Sequence, residues 1–365
     1  DPRRDNWEEW LPHRAGTYIN DFVTFKNRLV RLERENALPR IVISDYAQDD
    51  VYEIEFDGAA YHLGLSAGYE FDTMNLRFTY ESPATPEKVF DFEMASRERV
   101  LRKTREVPSG HDPDLYSVER LFVTADDGAS VPVTLLRLRS TPVDGTAPLL
   151  LYGYGSYGAN MPAWFNTGIL SLVDRGVVYA VAHIRGGSAK GRQWYLDGKL
   201  DKKKNSFSDF ATAAKELQDR GYGRKGETVI YGGSAGGLLV GATLNLRPDL
   251  FGGAIAAVPF VDVVNTISDA ELPLTPPEWV EWGDPINDPD AYATIAAYSP
   301  YENIRGDIDY PPVLATGGLT DYRVTYWEPS KWIARMRDEA GGGPFFLKMN
   351  MDAGHAGSAA RFERM

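Results

Sequence analysis

Short apolar runs separated by turn formers fill the first third of the chain. Runs of five to nine residues recur at Thr17–Phe25, Asn27–Glu33, Arg40–Ser44, Asp50–Phe56, Tyr61–Leu65, Asn75–Ser82, Glu87–Asp91 and Val100–Glu106. They are rich in β-branched and aromatic side chains, and breaks such as Asp57-Gly58 or Ser66-Ala67-Gly68 separate many of them. This cadence predicts an antiparallel all-β module over 1–107, enough for about two four-stranded propeller blades, with no strict repeat.

The pattern changes after the Pro/Gly break at Val107–Pro113. A hairpin is predicted from Glu119–Thr124 and Val131–Arg139 around Asp126-Asp127-Gly128. Compact apolar runs follow at Leu149–Tyr152, Val177–His183, Thr228–Tyr231, Gly253–Ala257, Val313–Thr316 and Phe345–Met351. Between them lie segments of helical period at Phe165–Asp174, Ser206–Arg220, Gly236–Leu246 and Glu328–Glu339. Buried strands alternating with helices of this length imply a mostly parallel sheet covered on both faces, so 108–365 reads as an α/β domain.

A length of 365 residues is compatible with those two units. No apolar run approaches the ~18 residues of a membrane span. The first residues lack the organisation of a signal peptide. With 39 basic and 52 acidic side chains the net charge is −13, which argues against a nucleic-acid footprint. The one basic knot, Lys199–Lys204, reads as a solvated loop. Zero cysteines remove disulfides, thiolate nucleophiles, iron–sulfur clusters and cysteine-based zinc sites. Five scattered histidines without an HExxH give no sign of a metal centre.

Chemistry concentrates at Gly232-Gly233-Ser234-Ala235-Gly236, a G-x-S-x-G flanked by an apolar strand and a helical run. That context predicts a nucleophile elbow, where a sharp strand-to-helix turn presents a serine and tolerates only small neighbours. A serine nucleophile needs a base. His355 is the only histidine after Ser234, and it follows the last apolar run, where a loop at the sheet edge would hold it. Among the acids between them Asp321 is favoured, because it follows Val313–Thr316 by a short turn and so projects at the same carboxyl edge; Asp262 and Asp352 are rivals. The backbone N–H of Ala235 can donate to an oxyanion, and a second donor is expected from the loop 152–158. That loop also matches G-x-G-x-x-G, but Pro162 and Trp164 delay its helix and the next strand ends His183-Ile184-Arg185-Gly186-Gly187 without the acidic residue of a dinucleotide site. A second match at 221–226 precedes a strand instead of following one.

The runs LYGYGSYGA (151–159), AHIRGG (182–187), GGSAGGLLVG (232–241), RPDLFGG (247–253), VPFVDVV (258–264) and EWGDP (281–285) together resemble the prolyl oligopeptidase family of serine peptidases. VPFVDVV, LPLT (272–275) and YSPYENI (298–304) point to its oligopeptidase B branch. The resemblance implies an α/β-hydrolase fold capped by a propeller, and cleavage of short peptides after Arg or Lys. It implies Ser234 as nucleophile, His355 as base, Asp321 as its orienter, and the Tyr154 hydroxyl with the Ala235 N–H as oxyanion hole. Arg323 would grip a substrate carbonyl, and Tyr157 is a further candidate for substrate binding. Glu278 matches the first of two glutamates for a basic P1 side chain, but the second falls on Val280. Two aspartates of some relatives fall on Pro162 and Trp164. Glu281, Asp269 and Glu271 are candidates for compensating charge. No cofactor or metal is implied. The expected partners are short peptides, with no nucleic acid or membrane; family habit places such enzymes in the cytoplasm, and the sequence leaves monomer and dimer both open. A prolyl-type peptidase, an acylaminoacyl peptidase, a carboxylesterase or an inactive binding scaffold would share this framework. A family member with every propeller blade would be roughly twice as long, so the chain reads as a C-terminal fragment that also stops short of a final helix.

Overall fold

The computed structural model describes residues 3–47 and 50–357. The expected shortfall after His355 lies beyond residue 357, outside the described residues.

The eight runs of the first third form two antiparallel sheets. β1 (Thr17–Thr24), β2 (Arg28–Glu35), β3 (Leu38–Asp45) and β4 (Val51–Glu53) make one sheet in that order. β5 (His62–Ser66), β6 (Asn75–Ser82), β7 (Thr85–Glu93) and β8 (Glu98–Thr104) make the other. One apolar cluster containing Val30, Ile41, Ile43, Leu63, Leu76 and Phe78 joins the two. β4 is shorter than the run that predicted it. Beyond Ile54, whose N–H still donates to Ile41 O at 3.0 Å, the chain leaves the ladder and lays Phe56 among the rings of Tyr61, Phe78 and Tyr80, at 5.2–5.7 Å between centroids. β2 buries charge as well as oil: Arg31 pairs with Glu33 at 2.9 Å and Arg28 with Asp45 at 3.3 Å. Such groups must be paired to be tolerated inside.

The remaining chain folds as β9 (Tyr116–Thr124), β10 (Ser130–Leu138), β11 (Leu149–Tyr152), α1 (Thr167–Val173), β12 (Val178–Ala182), α2 (Arg192–Leu196), α3 (Lys204–Asp219), β13 (Thr228–Gly233), α4 (Ala235–Leu246), β14 (Gly253–Ala257), α5 (Val263–Ile267), α6 (Thr275–Trp282), α7 (Pro289–Ala296), β15 (Asp309–Tyr310), β16 (Val313–Gly318), α8 (Trp327–Glu339), β17 (Gly341–Gly342) and β18 (Phe345–Asn350). β15 and β17 pair only with each other. The other strands form one sheet in the order β18-β16-β14-β13-β11-β12-β10-β9. Its strands from β18 to β12 run parallel, and the β9–β10 hairpin adds an antiparallel edge.

Side-chain alternation divides the faces. Val178, Ala180 and Ala182 of β12 join a core with α3 and α4, whereas Tyr179 packs with Leu136 and with Leu170 and Val173 of α1. Asn166 caps α1 by accepting from the N–H groups of Gly168 and Ile169. Among the described residues no helix is long and apolar enough to cross a membrane. Because β11, β13, β16 and β18 are parallel, the loops carrying Tyr154, Ser234, Asp321 and His355 all leave the same carboxyl edge.

Candidate active site

β13 ends at Gly233, and Ser234 turns the chain into α4 with φ 57° and ψ −120°, a strained combination for a residue with a Cβ. Two of its neighbours have no space for a side chain. A Cβ on Gly232 would sit 2.1 Å from the Gly236 carbonyl oxygen, and one on Gly237 2.4 Å from Pro259 Cα. The elbow therefore needs this glycine pattern sterically. Its geometry is fixed from outside too, since Ser234 N–H donates to Ala257 O at 2.8 Å and Phe260 N–H donates to Ser234 O at 3.1 Å.

The turns after β16 and β18 are laced together: Leu319 N–H donates to Asn350 O and Thr320 N–H to Ala353 O, at 2.9 and 3.1 Å. This brings Asp321 against His355, with Oδ2 2.7 Å from Nδ1. The other carboxylate oxygen accepts from the N–H groups of Arg323 and Val324, at 2.9 and 3.0 Å. The Asp321 side chain is fully buried, while the imidazole is partly exposed. The rivals are occupied elsewhere or face solvent. Asp262 is buried and bonded to Asn265 and Lys331, and Asp352 is exposed.

Ser234 and His355 line one cavity of about 420 Å³, together with Tyr154, Tyr157, Ala235, Glu278 and Arg323. Phe260, Ile267, Leu274 and Val324 supply apolar wall. Burial, and then the charge of Glu278, push the Tyr154 hydroxyl pKa above its ordinary value, with the Ser234 side chain pulling the other way. The phenol therefore keeps its proton at neutral pH and remains a hydrogen-bond donor.

Glu278 sits on α6, a helix that periodicity did not predict. Its Oε2 accepts from Tyr157 Oη at 2.8 Å and from Trp282 Nε1 at 2.7 Å. Val280 is 71% exposed, because residues two apart on a helix point to different sides. The suggested compensating charges are not in the cavity. Glu281 is 1% exposed and committed to Tyr157 N–H at 2.9 Å and Tyr195 Oη at 2.6 Å; Asp269 and Glu271 are exposed away from the lining. Pro162 and Trp164 line a separate cavity of about 230 Å³. Among the described residues Glu278 is the only carboxylate lining the Ser234 cavity, and no group of acidic or histidine side chains is placed to hold a metal.

The basic knot departs from the expected solvated loop. Lys202 and Lys204 are exposed, but Lys203 is 1% exposed. Its ammonium donates to Gly155 O at 2.6 Å and Ser156 Oγ at 2.7 Å and lies 4.9 Å from the Trp282 ring centre. Burial pulls its pKa down to about 8, with Glu281 opposing. Sequence reading also passed over Glu328, fully buried at the start of α8. It accepts from the N–H groups of Val261 and Asp262, at 2.7 and 3.1 Å, and from Thr266 Oγ1 at 2.7 Å. Burial pushes its pKa up to about 7.

Comparison with known proteins agrees with this architecture. The family model described as the prolyl oligopeptidase family matches residues 163–364, and that of the prolyl oligopeptidase N-terminal β-propeller domain matches residues 1–105. Dipeptidyl aminopeptidase BI of Pseudoxanthomonas mexicana is 43% identical over 99% of this chain and 50% of its own length. Protease 2 of Moraxella lacunata is 40% identical over 95% of this chain and 50% of its own. The structure of oligopeptidase B from Leishmania major superposes with a TM-score of 0.89 at 37% identity, covering 96% of this chain and 50% of that one. The chain thus spans about half the length of these relatives. The two antiparallel sheets formed by β1–β8 correspond to part of a β-propeller and the mixed sheet to an α/β-hydrolase domain. On these grounds the chain belongs to the prolyl oligopeptidase family of serine peptidases.

Proposed function

We propose that this chain carries the catalytic apparatus of a serine oligopeptidase that cleaves after Arg or Lys. The observation that carries the reading is the His355–Asp321 contact of 2.7 Å in a cavity shared with a serine held at φ 57°. Ser234 Oγ attacks the scissile carbonyl while His355 Nε2 takes its proton. Asp321 keeps the Nδ1 proton in place and stabilises the imidazolium. The oxyanion is met by Tyr154 Oη and Ala235 N–H. His355 then protonates the leaving amine, and water releases the acyl group by the same route.

Arginine or lysine at P1 fits the single carboxylate. A guanidinium or ammonium entering a partly dry cavity needs an anionic partner. Glu278 Oε2 already accepts two bonds, which leaves Oε1 for substrate, while Phe260, Ile267 and Leu274 can cover the methylene stem. Arg323, exposed at the cavity lining, is suited to a substrate carbonyl. Similarity to protease 2 and to oligopeptidase B supports a peptide substrate.

A fluorophosphonate should label Ser234 irreversibly, and an Arg anilide should be hydrolysed much faster than a Pro anilide. An unlabelled serine would overturn the nucleophile assignment, and equal Arg and Pro rates would overturn the specificity. The relative named a dipeptidyl aminopeptidase gives a second reading, release of dipeptides from a free N-terminus. Acetylating the substrate's amino group abolishes that activity and spares the endopeptidase one.

A further inference from the structure

We propose that Lys203 is a positioning residue that holds the oxyanion loop and the Glu278 carboxylate in register from beneath the site. The inference rests on the functional reading above and assigns a device within it.

A buried cation needs a reason. Among the described residues no carboxylate hydrogen-bonds to Lys203, and the charge of the buried Glu281 only partly opposes the effect of burial. Burying an ammonium costs several kcal/mol before its contacts offset it. A methionine would fill the same volume without that cost, so packing alone does not account for the charge. Its partners do. Both hydrogen bonds go to the loop that carries Tyr154, and the third contact goes to the ring that holds Glu278.

The loop requires such an anchor. Gly155, Tyr157 and Gly158 have φ of 73°, 59° and 65°, so no regular ladder supports this stretch. Apart from the turn bond of Ala159 N–H to Ser156 O, its ties come from outside: Lys203 to Gly155 O and Ser156 Oγ, a longer bond of Ser206 Oγ to Gly155 O at 3.4 Å, Glu281 to Tyr157 N–H, Ser188 Oγ to Gly158 O, and Gly158 N–H to Gly186 O at 2.9 Å. Tyr154 lies immediately before the stretch that Lys203 grips. On the other side, the Lys203 ammonium faces the Trp282 ring, whose N–H donates to Glu278 Oε2. One charge therefore touches the supports of both the oxyanion donor and the specificity carboxylate, without reaching substrate itself.

The test compares wild type, Lys203→Met, Tyr154→Phe and the double variant in the intact protein. Fluorophosphonate labelling of Ser234 and kcat and KM on matched Arg and Phe anilides are the readouts. Lys203→Met should slow labelling about tenfold and lower the Arg-over-Phe preference about threefold. The double variant should be no more than about twofold slower than Tyr154→Phe, because the two act through one contact. Lys203→Gln, which keeps a donor for Gly155 O but not the charge, should retain more labelling rate and lose the same preference; it also serves if the Met variant fails to fold. Wild-type rates and preference in both variants, or losses that multiply in the double variant, would overturn the positioning role. An unlabelled wild type would overturn the nucleophile assignment and this inference with it.

Discussion

Glu328→Gln should make the protein more stable at neutral pH and leave it unchanged in acid. In the folded chain the carboxyl is fully buried under Val261, Asp262 and Thr266, and burial, aided by the charge of Asp262, moves its pKa from 4.5 to about 7. The folded state therefore holds a proton that the unfolded state releases. Stability from this group is fully present below pH 4.5 and is lost as pH rises to about 7. At about 1.4 kcal/mol per pH unit, that interval sets a ceiling of about 3.5 kcal/mol. Glutamine matches the protonated acid, since its oxygen can take the two backbone donors and its amide can face the Thr266 hydroxyl. Urea unfolding of both proteins at intervals from pH 4.5 to 7.5 is the assay. The stability difference should grow in favour of the variant across this range and then level. His183, whose buried ring has its pKa pulled down to about 3, titrates alike in both proteins and cancels. A difference that is flat with pH, or that grows toward acid, would refute the reasoning.

Two further outcomes concern the site. Asp321→Asn should lower kcat by about 10³–10⁴ with little change in KM, because it favours the wrong imidazole tautomer while keeping the ring in place; steady-state kinetics on an Arg anilide will check it. Glu278→Gln should cut kcat/KM for Arg substrates at least tenfold and leave Phe substrates within about twofold, as expected for one charge-assisted bond; an unchanged Arg-to-Phe ratio would remove Glu278 from the pocket.

The elements that could be read from sequence are those whose signal is local. Strands such as Asn75–Ser82 and Leu149–Tyr152 are short, bounded by turn formers and found where the pattern puts them. The elbow was legible because the glycines around Ser234 answer a steric demand that any sequence with that turn must meet. α6 was not legible. Pro276 and Pro277 read as breakers, yet proline is tolerated in the first turn of a helix, and Glu278 reached the candidate site only through family likeness. Lys203 shows the other limit. A run of lysines predicts solvent, and nothing within six residues reveals that Gly155, almost fifty positions earlier, closes over one of them. Glu328 is hidden for the same reason, as its partners lie more than sixty residues away.

The backbone at Ser234 sets folding against reactivity. A residue at φ 57° and ψ −120° gives up about 1–3 kcal/mol that glycine would recover. Ser234→Gly should therefore raise the unfolding temperature of a protein that it leaves inert. Any search for stabilised variants that does not also demand turnover will drift toward that replacement. A hydroxyl at this corner is then something selection has to keep supplying, against a preference that the rest of the fold expresses every time it assembles.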